Sequence, residues 1–522
     1  MRPIDYFDRG ATRFPERVFV ADAHGSTTYR DAREQTHAIA GAMYAAGFEA
    51  GDSVAVFSPN EAAAVVCIFA CYRAGGAWVP VNVRNSAATN AQYMAYVKTR
   101  WLFFHSSVAA EAAAIIPHLD ELKHVVCIDT DATEHPSLAA FCAQYAGTPV
   151  PDWSDPFSVP DHSFSRWPTG GTTGPSKGVE ISNRALTTMI ELGLQYYIGD
   201  QRTPVVHLAV APITHAAGVV ITIYAPAGGT TIVHSAFDPV AVLETIEAQR
   251  VTHIFLPPTA YYALLDEAQK SSRDVSSLRQ LMIAAAPVSP DKLRAGVDTF
   301  GPVICQSYGQ AEAPLLISWL SPEVVAAAAA GDHPERLGSC GQVSSPTQVA
   351  ILDDNGEPVA RGERGEICCR GPLVTPGYFA KPDSTAEMRT FGWHHTGDIG
   401  TLDDDDFLYI VDRKKDMIIT GGFNVFAAEV EDPILALPEV LECAVIGVAD
   451  EKWGEAVKAI VVLRDGRALS ADELIERVKP KLGSVKTPKS VEFWTTIPKT
   501  SVGKTDKKAL RAHFSTPAPG RS

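Results

Sequence analysis

The sequence has little of what marks a disulfide-stabilised or zinc-ribbon protein. Its nine cysteines are scattered over 522 residues, and no two of them stand in a CxxC arrangement. Several lie inside apolar runs, where a reduced thiol behaves as a small core side chain. A disulfide framework, or a zinc site built from ligands clustered in sequence, is therefore not expected.

The sequence also lacks an excess of basic residues and a long hydrophobic run. With 45 Lys and Arg against 61 Asp and Glu, its formal net charge is −16, whereas nucleic-acid binding requires a basic surface. The segment 1–18 lacks the charged-then-apolar layout of a signal peptide, and the longest apolar stretch, 62–72, is too short to span a bilayer. We expect a cytoplasmic protein with no nucleic-acid partner and no membrane span.

Length and composition indicate a folded protein of more than one domain. A chain of 522 residues exceeds what one hydrophobic core supports, and 46% hydrophobic with 20% charged residues is ordinary for a globular protein. From about Asp31 to Gln306, helical patterns alternate with short apolar runs, which predicts an α/β fold of parallel sheets covered by helices. The runs are 53–58, 124–128, 205–211, 230–233, 253–256 and 281–285.

The pattern changes twice towards the carboxyl end. Between 336 and 378, Gly and Pro interrupt β-like runs such as 348–352 and 365–369, which predicts a small β-barrel-like subdomain. After 412, strands are predicted at 441–448, 457–463 and 491–494 and a helix at 470–481, which together form a small α+β domain. We divide the chain into a core, 1–414, a mobile carboxyl-terminal domain, 415–514, and a disordered Pro-, Gly- and Ser-rich tail, 515–522.

One segment has the composition of an anion-binding loop. Residues 169–178 read Thr-Gly-Gly-Thr-Thr-Gly-Pro-Ser-Lys-Gly. Glycines let backbone N–H groups converge on phosphate oxygens, hydroxyls add donors, and Lys177 adds a positive charge. It is not a Walker A loop, because Lys177 is preceded by Ser and followed by Gly. Taken alone, such a segment is more often a surface turn.

Further segments, in order along the chain, resemble the signatures of one enzyme family. They are 73–80 (RAGGAWVP), 306–312 (QSYGQAE), 393–398 with the triplet Thr396-Gly397-Asp398, 412–422 (DRKKDMIITGG) and 498–504 (PKTSVGK). Together with the loop they resemble the adenylate-forming superfamily, which includes acyl-CoA synthetases, firefly-type luciferases and the adenylation domains of peptide synthetases. The resemblance covers nearly the whole chain and favours the acyl-CoA ligase branch.

The resemblance implies an ATP site. Its residues would be Thr169, Gly170, Gly171, Thr172, Thr173, Gly174, Lys177, Ala286, Tyr308, Gly309, Asp398, Arg413 and Lys504. Asp398 would accept hydrogen bonds from both ribose hydroxyls, and Arg413 would lie near the ribose and phosphates. Tyr308 would stack on adenine or belong to the apolar core.

The same resemblance assigns catalytic roles to Lys504, Glu312 and His215. Glu312 would hold Mg²⁺ directly or through water. The family has Thr just before this glutamate, whereas this chain has Ala311, so Thr172 or water must replace that hydroxyl. Lys504 would bridge the attacking carboxylate and the α-phosphate during adenylation; without its motif spacing it would read as a solvated lysine.

A rotation of the small domain is implied for the second half of the reaction. Lys415 matches the family's hinge position, and the rotation would withdraw Lys504. The residues implied for CoA binding are Gly421, Gly422, Trp453 and Arg84. For Trp453, packing within the small domain is an equal alternative.

The acyl pocket is expected around His215, Gly218, Ala284 and Ala285. His215 matches a gate residue beside the acyl group in the family. The residues after it are Ala216, Ala217 and Gly218, with no aspartate to neutralise a substrate ammonium, so α-amino acids are disfavoured. The small residues suggest room for a bulky aryl or aliphatic group, although Ala also occurs in tight packing.

The predicted function is that of an ATP-dependent carboxylic acid:CoA ligase. The acid and ATP would give acyl-AMP and pyrophosphate, and acyl-AMP and CoA would give acyl-CoA and AMP, with Mg²⁺ as cofactor. The main alternative is a stand-alone adenylating enzyme that loads an acyl carrier protein; a luciferase-like monooxygenase and a non-catalytic nucleotide-binding module are two more. A homodimer is compatible with the sequence.

Overall fold

The structure is a computed structural model that describes residues 1–151, 161–169, 176–199, 203–450, 452–500 and 505–515. The chain forms two compact units. The first contains Met1–Val349, Cys369–His394 and Asp405–Phe407, and the second contains Ala350–Cys368, His395–Asp404 and Leu408–Ser522. Among the described residues, no helix is both long enough and apolar enough to cross a bilayer. The predicted tail beyond Ser515 lies outside the described residues.

The strands are β1 Val18–Asp22, β2 Gly25–Thr28, β3 Ser53–Phe57, β4 Ala77–Pro80, β5 Thr99–Phe104, β6 His124–Cys127, β7 Ser163–Pro168, β8 Gly178–Ser182, β9 Val206–Ala209, β10 Thr230–Val233, β11 His253–Leu256, β12 Gln280–Ile283, β13 Ile304–Gln310, β14 Ala313–Leu320, β15 Gln342–Val343, β16 Gln348–Leu352, β17 Gly365–Arg370, β18 Gly377–Tyr378, β19 His394–Leu402, β20 Leu408–Arg413, β21 Ile418–Thr420, β22 Phe423–Val425, β23 Val440–Asp450, β24 Gly454–Leu463 and β25 Ser490–Phe493.

The α-helices are α1 Pro3–Arg13, α2 Tyr29–Ala45, α3 Ala62–Ala74, α4 Ala87–Tyr96, α5 Ala109–Ile115, α6 Leu138–Gln144, α7 Asn183–Gly193, α8 Ala216–Tyr224, α9 Pro239–Gln249, α10 Pro258–Ala268, α11 Pro290–Phe300, α12 Pro322–Ala329, α13 Pro382–Met388, α14 Ala427–Leu435, α15 Ala471–Lys486 and α16 Lys507–Ser515.

The first unit contains a nine-stranded sheet in the order β15-β14-β13-β12-β11-β9-β10-β1-β2. Its central strands from β13 to β1 are parallel, and β2, β14 and β15 are antiparallel at the two ends. Parallel strands need crossover connections, which α8 to α11 supply, and both faces of such a sheet are covered. The predicted α/β fold is confirmed.

Two buried histidines lie opposite each other in this sheet. His207 in β9 pairs with His253 in β11, and they are 0% and 3% exposed. Burial lowers the pKa of His207 to about 3 and that of His253 to about 4. Both imidazoles are therefore neutral structural groups at physiological pH.

A seven-stranded sheet in the order β18-β8-β7-β4-β3-β5-β6 completes the first unit. Strands β4, β3, β5, β6 and β7 run parallel, whereas β7 and β8 form an antiparallel pair and β18 adds antiparallel to β8. All six apolar runs predicted as strands lie in these two sheets, as β3, β6, β9, β10, β11 and β12.

The second unit holds most of a four-stranded sheet in the order β16-β17-β19-β20, and a five-stranded sheet in which β22, β21, β24 and β23 are consecutive and β25 pairs with β24. The helix predicted at 470–481 is α15, and Ser470 and Glu473 form a capping box at its start. Val430, Ile434, Val445, Val461 and Leu474 belong to the core of the five-stranded sheet. The predicted small α+β domain is confirmed.

Candidate active site

The hairpin of β7 and β8 presents the predicted phosphate loop. Pro168 pairs with Gly178 at the end of the two strands. The Thr169 N–H donates to the Lys177 carbonyl at 3.0 Å, and the Lys177 N–H donates to Thr169 Oγ1 at 3.2 Å. The two ends of the loop are thus fixed. Its central residues Gly170, Gly171, Thr172, Thr173 and Gly174 lie outside the described residues.

Lys177 belongs to a three-residue chain of side chains beside this loop. Its Nζ lies 4.8 Å from the centre of the Tyr378 ring, and the Tyr378 hydroxyl donates to Glu312 Oε1 at 2.7 Å. Tyr378 reaches this place because β18 pairs with β8, where it lies opposite Val179. Burial and the Glu312 carboxylate raise the pKa of Tyr378, so its hydroxyl keeps its proton.

The segment 306–312 forms the end of β13 and the turn into β14. Tyr308 is 8% exposed and pairs with Ser318. A Cβ on Gly309 would lie 2.5 Å from the Leu315 backbone nitrogen, so only glycine fits there. Ala311 and Glu312 occupy the turn. The hydroxyl that contacts Glu312 comes from Tyr378, 66 residues further along the chain.

The donor set at Glu312 suits Mg²⁺. Within the described part of the chain, Oε1 accepts one hydrogen bond and Oε2 accepts none, and the residue is partly exposed. A carboxylate with one oxygen oriented by a neighbour and the other available is the hard ligand that Mg²⁺ prefers.

The expected acyl-pocket residues lie at the amino end of α8. His215 precedes this helix, and its ring lies 5.7 Å from that of Trp167 at the end of β7. A Cβ on Gly218 would lie 1.9 Å from the Ile213 carbonyl oxygen and 3.3 Å from Trp78. Gly218 is therefore required by backbone packing, and the wall beside it is aromatic.

Ala284, Ala285 and Ala286 follow β12. Ala284 is buried, whereas Ala285 and Ala286 are exposed. Ala285 has φ of 80°, a left-handed backbone conformation that is strained for a residue with a Cβ. The chain thus turns sharply where the parallel strand ends, which is where α/β proteins place binding residues.

Asp398 and Arg413 form an ion pair in the second unit. They are direct cross-strand partners in β19 and β20, and Arg413 Nε lies 2.7 Å from Asp398 Oδ1. The Asp398 side chain is 4% exposed, against 44% for Arg413. A buried carboxylate is thus held beside a partly exposed guanidinium, an arrangement that can bind hydroxyl groups and phosphate.

Lys415 lies in a short 3₁₀ turn, Lys414–Asp416, between β20 and β21. Further along, Gly421 and Gly422 have φ of 58° and 80°, values that favour glycine. The Gly421 N–H donates to the Trp453 carbonyl at 2.8 Å, and the Trp453 ring, 41% exposed, covers Gly421. The structure therefore brings Gly421 and Trp453 together and leaves the indole accessible.

Arg84 lies at a small cavity in the first unit. The lining residues follow β3, β4, β9 and β10 and include Ser58, Asn60, Asn82 and Thr214. Within the described residues the exposed Arg84 guanidinium has no ion pair. A free cation at the carboxyl ends of parallel strands is suited to an anionic ligand. Lys504, in contrast, lies outside the described residues.

Sequence reasoning missed Tyr378 and Trp167. Tyr378 stands in a two-residue strand with no motif that assigns it a role, and only the pairing of β18 with β8 brings it to Glu312. Trp167 lies just before the Gly-rich loop, and this adjacency was the available signal.

Two family models match this chain, and curated relatives align with most of it. The family model for AMP-binding enzymes matches residues 7–379, and that for the AMP-binding enzyme C-terminal domain matches residues 429–504. The chain is 41% identical over 415 residues to the medium/long-chain-fatty-acid–CoA ligase FadD8 of Mycobacterium tuberculosis, covering 77% of this chain and 70% of the relative. It is 37% identical over 502 residues to a feruloyl-CoA synthase of an Amycolatopsis species, covering 94% and 95%.

Two of the solved structures that share this fold illustrate the similarity. The amide bond synthetase McbA from Marinactinospora thermotolerans has a TM-score of 0.86 at 31% identity, with 98% of this chain and 100% of the other covered. The o-succinylbenzoate CoA synthetase MenE from Bacillus subtilis, in complex with its acyl-adenylate intermediate, has a TM-score of 0.83 at 26% identity, with 99% of each chain covered. With both family domains matched in order, the chain belongs to the AMP-binding enzymes, the adenylate-forming superfamily.

Proposed function

We propose that the protein is an ATP-dependent carboxylic acid:CoA ligase that uses ATP, Mg²⁺ and CoA and acts through an acyl-adenylate. The observation that carries this proposal is the chain of Lys177, Tyr378 and Glu312 at the base of the Gly- and Thr-rich loop. It supplies a cation for phosphate and a carboxylate for a divalent ion at neighbouring positions. This pairing suits a metal-bound polyphosphate.

In the proposed first step, a carboxylate oxygen of the acid attacks the α-phosphorus of ATP, and pyrophosphate leaves. Lys177 and the loop hold the phosphates, and Asp398 accepts hydrogen bonds from the ribose hydroxyls while Arg413 turns towards the phosphates. Mg²⁺ bound at Glu312 would neutralise phosphate charge. Lys504 would orient the attacking carboxylate against the α-phosphate. Fixed cations of this kind lower the barrier because negative charge accumulates as the bond forms.

In the proposed second step, the CoA thiol attacks the acyl carbonyl and AMP leaves with one former carboxylate oxygen. We divide the chain for this purpose at the Lys415 hinge, with a core at 1–414 and a mobile domain at 415–514. The exposed Trp453 ring over Gly421 offers an aromatic surface. Gly422, beside it in sequence, has no side chain that could obstruct the thiol-bearing arm of CoA. Arg84, free of ion pairs in the described chain, would bind a CoA phosphate.

For the acid, the aromatic wall formed by Trp167 and His215 supports a planar aryl group stacked against it. The similarity to a feruloyl-CoA synthase over 94% of this chain points the same way. The similarity to a fatty-acid–CoA ligase covers 77%, so an aliphatic acid is the alternative.

The test is a pyrophosphate-release screen of aryl, medium-chain and long-chain acids with ATP, Mg²⁺ and CoA. We expect acid-dependent pyrophosphate, AMP and acyl-CoA in equal amounts, with an aryl acid giving the highest kcat/KM. ATP binding without pyrophosphate release from any acid would overturn the proposal in favour of a non-catalytic nucleotide-binding protein. Product that requires oxygen would favour luciferase-like chemistry.

The role of Lys504 is tested by separating the two steps. Lys504→Ala should abolish acid-dependent pyrophosphate release but retain most of the conversion of supplied acyl-adenylate to acyl-CoA. The matched control is Lys508→Ala, which removes an exposed lysine from α16 four positions away and should leave both steps unchanged. Equal loss of both steps in Lys504→Ala would refute the assigned role.

The acceptor and the assembly are tested separately. An acyl carrier protein is the alternative acceptor, and transfer to free CoA is compared with transfer to a phosphopantetheinylated carrier. A homodimer is tested by light scattering. We place the protein in the cytoplasm, because none of the nine cysteines, all of them in the described residues, forms a disulfide, which suits a reducing compartment.

A further inference from the structure

Three side chains of the second unit, none of them assigned a role in the proposed reaction, converge on one point. Glu366 and Cys368 are two residues apart on β17 and therefore share a face of that strand, and His395 lies on β19, the neighbouring strand. One ligand atom from each lies within 4.8 Å of the other two. His395 Nδ1 is 3.1 Å from Glu366 Oε2 and 3.4 Å from Cys368 Sγ.

These distances are close to the edges of a tetrahedral metal site. Zinc bonds of about 2.3 Å to sulfur and about 2.0–2.2 Å to nitrogen or oxygen put neighbouring tetrahedral ligands about 3.3–3.6 Å apart. The observed 3.4 Å and 3.1 Å are close to this range. In addition, one imidazole nitrogen, His395 Nδ1, contacts both the Glu366 carboxylate and the Cys368 sulfur. A cation shared by all three atoms satisfies them together.

The environment of Glu366 supports the same conclusion. The Gly397 N–H donates to Oε1 at 3.1 Å and so orients the carboxylate, as outer-shell groups do at metal sites. Oε2 already attracts a cation, because Lys414 Nζ lies 3.1 Å away and also contacts Asp354 Oδ1 at 3.1 Å. The Lys414 side chain is 45% exposed, against 10% for Glu366. It can therefore swing into water and open the site from the solvent side.

We propose that Glu366, Cys368 and His395 form a binding site for a soft divalent cation of the zinc class. The Lys414 ammonium competes with this cation for the Glu366 carboxylate. Binding replaces the Cys368 thiol proton, which passes to solvent, by the metal. A water molecule or Asp354, released from Lys414, completes the coordination. The ligands come from two strands, so no zinc-like spacing exists in the sequence. A thiolate and an imidazole select zinc over Mg²⁺.

The test uses the full-length protein and zinc itself. After chelator treatment and dialysis against zinc in excess Mg²⁺, elemental analysis should find about one zinc per chain. Cobalt substitution should give the intense visible absorption of tetrahedral Co²⁺ and a thiolate charge-transfer band. Cys368→Ser should lose both the metal and the band. The matched control, Cys369→Ser, removes the adjacent buried thiol, which lies on the opposite face of β17, and should retain both.

A third variant tests the competition. Lys414→Met removes the ammonium from Glu366 and should tighten zinc binding about threefold, the size expected for a partly exposed ion pair. Circular dichroism melting checks that every variant is folded, and a misfolded Cys368→Ser is replaced by His395→Asn. Zinc retained by a folded Cys368→Ser, zinc lost from Cys369→Ser, or no zinc on the unaltered protein would overturn the site. An unchanged affinity in Lys414→Met would overturn the competition.

Discussion

The ion pair of Asp398 and Arg413 leads to a sharp prediction for the Asp398→Asn variant. The Asp398 carboxylate is 4% exposed, so water screens its interactions weakly. Arg413 is 44% exposed, so losing its partner costs under about 1 kcal/mol in stability. The variant should therefore fold normally, and its defect should appear only in the binding and use of the nucleotide.

The size of the defect follows from the two hydrogen bonds assigned to the ribose. A hydrogen bond to a charged group contributes about 1.5–3 kcal/mol, against about 0.5–1.5 kcal/mol for a neutral one. Replacing the carboxylate by an amide should thus cost about 2–3 kcal/mol for two hydroxyls. This corresponds to a fall of about 30- to 150-fold in kcat/KM for ATP.

The assay measures acid-dependent pyrophosphate release with ATP and with 2′,3′-dideoxy-ATP. The unaltered protein should discriminate strongly between the two nucleotides, whereas the discrimination by Asp398→Asn should be about 30- to 150-fold weaker. Asp404→Asn, which changes an exposed aspartate in the turn after β19, should behave like the unaltered protein. An equal penalty for the dideoxy nucleotide in Asp398→Asn and in the unaltered protein would refute the ribose contact.

Three further predictions concern the first unit. Tyr378→Phe removes the 2.7 Å hydrogen bond to Glu312 and should raise the Mg²⁺ concentration for half-maximal activity about 10- to 100-fold, and an unchanged Mg²⁺ titration would contradict this. Gly218→Ala places a Cβ 1.9 Å from a backbone carbonyl oxygen and should lower the free energy of unfolding by about 3 kcal/mol or more, so an unchanged urea midpoint would refute the packing role. Burial lowers the pKa of His207 to about 3 and of His253 to about 4, so the unfolded chain binds protons below pH 6.5 while the folded chain does not. The free energy of unfolding should therefore be highest above pH 6.5 and fall by about 2 kcal/mol per histidine by pH 5. His207→Asn should halve this loss in urea titrations. A loss of the same size with and without His207 would refute the assignment of the pH dependence to these two histidines.

Much of the fold could be predicted because its parallel strands are short apolar runs between helices. The run 253–256, for example, is strand β11 with the same bounds and is buried at all four positions, as expected of a strand covered on both faces. The helix at 470–481 was predicted from its pattern, and its Ser470–Glu473 capping box marks where α15 begins. Features of this kind can be predicted because they depend only on residues that are close together in the sequence.

The site was harder to predict where it depends on pairing between distant segments. Nothing near Glu312 in the sequence indicates that Tyr378 supplies a hydroxyl to it, because this contact depends on β18 adding to the edge of β8. Gly218 shows a second limit. Its small size suggested room for a substrate, whereas the structure shows a backbone carbonyl in the direction of the missing Cβ. A sequence records the size of a residue but not the direction in which space is needed.

The central claim, activation of a carboxylic acid as its adenylate, is tested most directly by following oxygen. An acid labelled with ¹⁸O in both carboxylate positions is incubated with the protein, ATP, Mg²⁺ and CoA, and the products are analysed by mass spectrometry. Attack of the carboxylate on the α-phosphorus leaves one labelled oxygen on AMP when the thiol displaces it, so we expect AMP carrying a single ¹⁸O in an amount equal to the acyl-CoA formed. Unlabelled AMP, or label in inorganic phosphate with ADP as product, would contradict the account.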